Sequence, residues 1–246
     1  MLKRIFSTVT LFLLLGSFLS AKTTQLNYMA TFGIFGKVGS IENRLTQDGS
    51  AYQIDTKVTL AGLAKVLLNG QTEHYTSKGH MENGLMVSDF YEMVTTKQDK
   101  KVSKAYHIDH EKKLVTKRYR RWQKGKLVKD TTEKLKFYAR DDLLTLYFNL
   151  GNAVEEKGQK YLFKAVGLEK QHGKVQITVP GAAQAGVYSK DLGEGAALYA
   201  KALIHQENFR KKKGDILLAV GKDKFIYKSV IKDIMLYGDA QLVRVK

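Results

Sequence analysis

The chain has no cysteine and a single proline in 246 residues. Without cysteine there is no disulfide framework, no thiolate nucleophile and no Cys-based zinc or iron–sulfur centre. A lipid anchor attached to an N-terminal cysteine is excluded on the same ground. No Gly-x-Ser-x-Gly elbow occurs, so the strand–turn–helix serine hydrolases are not indicated. Gly193-Glu194-Gly195 lacks the later glycine that a phosphate cradle needs. No internal repeat and no low-complexity linker divides the chain.

One long apolar run stands at the N-terminus. Lys3 and Arg4 precede residues 5–15, which are apolar except for Ser7, Thr8 and Thr10, and small residues follow at Gly16, Ser17, Ser20 and Ala21. This is the pattern of a secretory signal peptide, with cleavage expected after Ala21. The run is shorter than the about 20 residues a membrane span needs. Residues 22–246 are then expected to form one exported, periplasmic domain. Its formal charge falls from +17 to +15 when Lys3 and Arg4 are removed. An exported basic protein meets the membrane surface, acidic glycolipid or cell-wall polymer rather than nucleic acid.

Most of the remainder alternates with a period of two, the mark of half-buried strands. Leu26, Tyr28, Ala30 and Phe32 share one face, and Tyr52, Ile54, Thr56, Val58 and Leu60 another. Gln47-Asp48-Gly49-Ser50 predicts a hairpin turn, because Asp-Gly accepts positive φ. Residues 61–68 break the alternation and read as a short helix or an apolar loop dipping into the core. Residues 70–80, 85–96, 101–110, 113–123 and 126–138 predict five further strands joined by short polar turns. After mid-chain, strands are expected around Phe163, Ile177 (ended by Pro180) and Ala200. A Gly/Ala-rich loop is expected at 180–196 and a basic turn at 209–214. Three closing strands are expected at 215–221, 224–234 and 235–245.

Between the two strand-rich halves lies Asp141-Asp142-Leu143-Leu144-Thr145-Leu146-Tyr147-Phe148-Asn149-Leu150-Gly151. Asp141 is placed to cap a helix N-terminus, Asp142 suits the dipole there, and Gly151 is placed to end the helix. A helix apolar nearly all round must be buried on most sides. The fold expected is therefore mainly β: one domain of antiparallel strands in a strongly curved sheet or open barrel, with one short buried helix at mid-chain. Leu146→Asp is expected to abolish folding and Asp142→Ala to be mild.

The order of features resembles the exported bacterial proteins grouped as domain of unknown function 3108. The resemblance rests on Leu26-Asn27-Tyr28 followed by Phe35-Gly36-Lys37-Val38-Gly39, and on Asp142-Leu143-Leu144-Thr145-Leu146-Tyr147-Phe148. It rests also on Gly173-Lys174-Val175 and on Tyr237-Gly238-Asp239-Ala240 before the last strand. It spans roughly the whole chain after Ala21. Two positions depart: Gly151-Asn152 stands where that family often has an Arg, and residues 225–230 lack its Pro. The resemblance implies an exported β-rich protein and brings no catalytic residue.

Residues 97–136 carry 15 Lys or Arg against 5 Asp or Glu. At the centre are Arg118, Tyr119, Arg120, Arg121 and Trp122. On a strand Arg118, Arg120 and Trp122 face one way, and Lys117, Tyr119 and Arg121 the other. Two readings stand: an edge hairpin defended by cations against aggregation, or an anion-binding surface with interfacial aromatics. His107, Asp109 and His110 do not converge on one strand face, and His74 and His80 lie about 20 Å apart on an extended strand. No metal and no cofactor is expected. Asp141-Asp142 is explained by helix capping.

The expectation is a non-catalytic periplasmic binding or cell-envelope maintenance protein with an apolar or anionic envelope ligand and peripheral membrane contact. The alternatives are an enzyme acting on envelope polysaccharide or glycolipid, and an outer-membrane β-barrel.

Overall fold

The computed structural model describes residues 21–154, 156–204, 214–234 and 238–245. Residues 1–20 of the expected signal segment lie outside these, as do the basic turn at 209–214, except Gly214, and residues 235–237 of the last bend.

The alternating stretches form strands because β-branched and aromatic side chains at every second position pack on one side of a pleated surface. An antiparallel meander leads: β1 (Lys22–Phe32), β2 (Lys37–Asp48), β3 (Ala51–Leu60), β4 (Thr72–Glu82), β5 (Leu85–Lys97), β6 (Lys100–Asp109), β7 (Leu114–Gln123) and β8 (Lys126–Lys134). The second half contributes β9 (Asp141–Asp142), β10 (Lys160–Val166), β11 (Lys174–Thr178), β12 (Leu198–Ile204), β13 (Gly214–Val220), β14 (Ile226–Ile234) and β15 (Gly238–Val245). The helices are α1 (Gly62–Leu67), α2 (Leu143–Ala153) and α3 (Ala182–Leu192).

All fifteen strands of the described residues belong to one sheet, ordered β8-β7-β6-β5-β4-β3-β2-β1-β15-β14-β13-β12-β11-β10-β9. The chain starts at the middle of the sheet, builds outward to β8, crosses to the opposite edge and builds back. The halves join where β1 meets β15, from Asn27 opposite Val245 to Phe32 opposite Ala240. Every pair is antiparallel except β9 with β10. The edge strand β9 lies against β5, so the sheet is rolled without closing.

One lateral row shows how the roll is filled. Leu45, Ile54, Ser77, Tyr91, Tyr106, Lys117 and Glu133 stand opposite one another across β2 to β8 on the inner face. Lys117 Nζ reaches Glu133 at 3.2 Å and, from the other half of the molecule, Glu169 at 3.1 Å. The Tyr106 hydroxyl donates to the same Glu169. This cluster ties β6 and β7 to the turn that follows β10.

Helix α2 fills the interior. Leu146 and Leu150 pack with Val175, Ile177, Ala200 and Leu218 of the second half. Phe148 packs with Leu26, Tyr28, Leu45 and Ile54 of the first. The helix is apolar on two sides because each half of the sheet covers one of them. The expected helix is present, with two corrections. Asp142, not Asp141, is the N-cap: its Oδ1 accepts from Leu144 N at 2.7 Å and Thr145 N at 2.9 Å, while Asp141 extends β9. Gly151 does not end the helix, which runs to Ala153. A Cβ there would stand 2.1 Å from the Lys224 carbonyl, so the glycine serves close approach between α2 and the β13–β14 turn.

The expected loop at 180–196 contains α3, and the expected strand at 126–138 stops at Lys134. Residues 61–68 form the helix of the two alternatives, with Val66 exposed rather than dipping into the core.

Candidate ligand site and basic arm

The cap of α2 is part of a buried polar cluster. Asp142 is fully buried, and its Oδ2 accepts from Ser77 Oγ at 2.6 Å and Thr145 Oγ1 at 2.8 Å. With both of those protons directed at the carboxylate, the Tyr52 hydroxyl is the donor to Thr145 Oγ1 at 2.7 Å. Burial raises the Asp142 pKa, and the hydroxyl and N–H donors oppose that rise. Asn149, one turn on, bonds the Met86 backbone both ways, accepting from N at 3.0 Å and donating to O at 2.8 Å. These contacts lock α2 to β4 and β5.

The other side of α2 is mainly apolar, with Tyr147 as its polar group, directed at Tyr28 and Ser229. There a cavity of about 180 Å³ is lined by Leu143, Leu146, Tyr147, Leu150, Ile177 and Leu218, among others, on α2 and β11 to β15. Ser229 also lines it, its buried hydroxyl set toward that of Tyr147. The pocket is partly open, and an apolar space of this size accepts apolar guests; an enclosed engineered cavity of about 150 Å³ binds benzene.

Along another face of α2, from Asp141 before it to Ala153 at its end, lies a second space of about 330 Å³. It is lined by Tyr138, Arg140, Asp141, Leu146, Asn149 and Lys164, among others. Asp141 Oδ1 is buried without a hydrogen-bond partner, and burial raises its pKa to about 6, the Arg140 charge opposing the rise. Asp142 does not line this cleft. The paired, cleft-sharing carboxylates that the enzyme alternative requires are therefore not formed by this pair.

The five residues singled out in the basic stretch all lie on β7, on two faces. On the outer face Arg118 forks onto Asp130 of β8 at 2.9 and 2.6 Å. Arg120 reaches Glu92 at 3.3 Å. Trp122 lies between two cations, Arg120 and Lys101, each 5.3 Å from its ring centre. On the inner face Tyr119 lies under Lys129 Nζ at 5.4 Å, and Arg121 stands opposite Val102 and Lys129. The five residues do not converge on one pocket, and neither the cavity nor the cleft includes β7. The β7–β8 hairpin is the edge of the sheet, as one of the two readings expects, with β8 outermost. All nine β8 residues are exposed, so this corner is bare on both faces, and Leu127 and Val128 each keep 51% of their surface.

His80 and His110 make cross-strand polar contacts. His80 Nδ1 lies 3.0 Å and His110 Nε2 3.1 Å from the two oxygens of Asp89, and His110 Nδ1 lies 2.8 Å from the Tyr138 hydroxyl. Among the described residues no three His, Asp or Glu side chains are grouped to hold a metal ion.

No family model and no curated protein matches the chain. Among solved structures it is similar to the crystal structure of a β-barrel-like protein of domain of unknown function DUF1849 from Brucella abortus. The TM-score is 0.54 at 10% sequence identity, over 90% of this chain and 95% of that one. At that identity the likeness shows the fold: a mainly β, barrel-like rolled sheet. Sequence reasoning missed Ser77, Asn149 and Arg140. An Asn inside an otherwise apolar helix was the signal available for one of them.

Proposed function

We propose that the protein is a non-catalytic binding protein of the cell envelope that takes an apolar group into the cavity beside α2. The observation that carries this reading is the cavity itself: an apolar void of about 180 Å³ inside a rolled sheet, where close packing is the rule. Export to the periplasm is part of the proposal and rests on residues 1–21. Membership of the domain of unknown function 3108 family is likewise proposed from the order of motifs. The basic arm, with Arg121, Trp122 and the exposed Leu127 and Val128, would address an anionic lipid, glycolipid or wall polymer. The outer-membrane alternative needs a closed sheet in lipid, whereas β8 and β9 are open edges here.

Ala202 of β12 lines the cavity, and Ala202→Phe places a ring in it. Wild-type protein purified from its host and measured by native mass spectrometry is expected to carry an apolar adduct that Ala202→Phe lacks. A folded wild-type protein that carries no adduct, and takes up none from envelope lipid extract, overturns the reading.

A further inference from the structure

The cavity and the cleft are neighbours. Leu146 lines both, with Tyr147 and Leu150 facing the cavity and Asn149 and Ala153 facing the cleft. A single side chain of α2 therefore stands between an apolar space and a polar one. The polar space is cationic on balance. Arg140 and Lys164 line it against the single carboxyl of Asp141, which burial raises to about 6 and which holds its proton only below that pH.

Arg140 is the group whose chemistry is unspent. Its Nε and Nη2 are both buried and neither has a hydrogen-bond partner. Glu82, the carboxylate nearest in ion-pair terms, stands off at 3.8 Å from Nη2. Nε–H and Nη2–H form the parallel edge of a guanidinium that carboxylates and phosphates engage through two hydrogen bonds. That edge is closed to solvent as the side chain stands, while 40% of the Arg140 side chain is exposed. A head group in the cleft therefore meets the edge once the guanidinium turns toward it, and leaving the edge unbonded is costly. Beside it, Asp141 Oδ1 is a second buried oxygen without a partner. In its protonated form that carboxyl donates to an anion. The groups facing it are Arg140, Asp142 and Tyr138, with Glu82 beyond Tyr138 and Lys164 across the cleft on β10.

We propose that cleft and cavity are the two chambers of one site for a single-chain carboxylate. The carboxylate sits on Arg140 in the cleft, and the alkyl chain passes Leu146 into the cavity. This rests on the cavity reading given above and adds the head group. The apolar chamber alone, about 180 Å³, is small beside the roughly 300–1,000 Å³ of drug-sized pockets, which favours one slim chain there.

The test uses delipidated full-length protein and isothermal titration with dodecanoate and with 1-dodecanol, which share a chain and differ in charge. Wild type is expected to bind dodecanoate at least about tenfold more tightly, the worth of a charge-assisted pair. Arg140→Gln is expected to remove the difference by weakening dodecanoate alone. Arg140→Lys, which keeps the charge and loses the paired N–H edge, is expected to fall between, and it serves if the glutamine variant does not fold by circular dichroism. Ala202→Phe is expected to weaken both ligands. Equal affinity for acid and alcohol in wild type, or a preference that survives Arg140→Gln, overturns the head-group assignment and leaves the cavity reading standing. Dodecanoate binding indifferent to Ala202→Phe removes the cavity from the site. Failure of both ligands to bind wild type overturns the inference and the cavity reading together.

Discussion

The side chain that does most in this molecule is Asp142. It caps α2 through two backbone N–H groups and accepts from Ser77 and Thr145, all within a site closed to solvent. The mild effect that the sequence suggests for Asp142→Ala does not survive this geometry. Removing the carboxylate strands two N–H groups and takes the acceptor from the hydroxyls of Ser77 and Thr145 in a buried place. A loss of about 3 kcal/mol or more is expected in urea unfolding, with Asp142→Asn less damaging because Asn also caps. Asp141 behaves oppositely. Its carboxyl is raised from an ordinary 3.8 to about 6 by burial. Between those values the folded chain holds a proton that the unfolded chain releases. Stability therefore falls as pH rises through this window and stays reduced above it. Asp141→Asn should be more stable than wild type at pH 8, by on the order of 2 kcal/mol, and equal to it near pH 3. Thermal unfolding at the two pH values decides this; a constant difference contradicts it. The sequence showed an acidic pair at a helix start. Which member turns inward depends on Ser77, 65 residues away, and no local pattern carries that.

Among elements, α2 and α3 respond to alanine in opposite ways. Gly151 lies inside α2, and a Cβ there meets the Lys224 carbonyl at 2.1 Å, so backbone must move. Gly151→Ala is expected to destabilise by about 2 kcal/mol despite the better helix propensity. Gly186 lies inside α3 with nothing within 4 Å of such a Cβ. Gly186→Ala is expected to stabilise by about 0.5–1 kcal/mol. Denaturation midpoints of the two variants test the pair, and the same sign for both would refute the packing argument. α2 was legible because six large apolar residues crowd eight positions between an acidic start and a later glycine. α3 was not. It is rich in alanine and glycine, and Leu192 is its buried residue, packed with Ala219 and Val230. The outer side of the sheet asks for no apolar stripe from a helix lying on it. β8 was expected as a strand, but its place at the edge follows from how far the meander builds before the chain crosses over.

At the scale of the molecule, charge and apolar space are separated. The cations of residues 97–136 cluster on the β6–β8 corner, while the cavity lies under α2 against β11 to β15. Binding to an anionic surface and uptake of an apolar group should therefore be separable. Lys126→Gln with Lys129→Gln is expected to weaken sedimentation with phosphatidylglycerol vesicles by about 1 kcal/mol per lysine at low salt. High salt should abolish the difference, because the attraction is screened. Ligand uptake should be unchanged. Vesicle binding indifferent to both salt and these substitutions would leave the arm as edge protection alone.

The amino-acid sequence by itself determined the local features. Period-two alternation specifies strands, Asp-Gly specifies a turn, and an all-round apolar segment specifies a buried helix, because each depends on neighbours within a few residues. The tertiary structure decided what depends on distant partners. The first strand lies beside the last, so the open edges fall at β8 and β9 rather than at the chain ends. Two halves of one sheet roll around α2 and are fastened where Lys117 and Tyr106 meet Glu169. The roll leaves a cavity on one side of α2 and a cleft carrying Arg140 on the other, since one helix cannot fill both sides of the space that a fifteen-stranded sheet encloses.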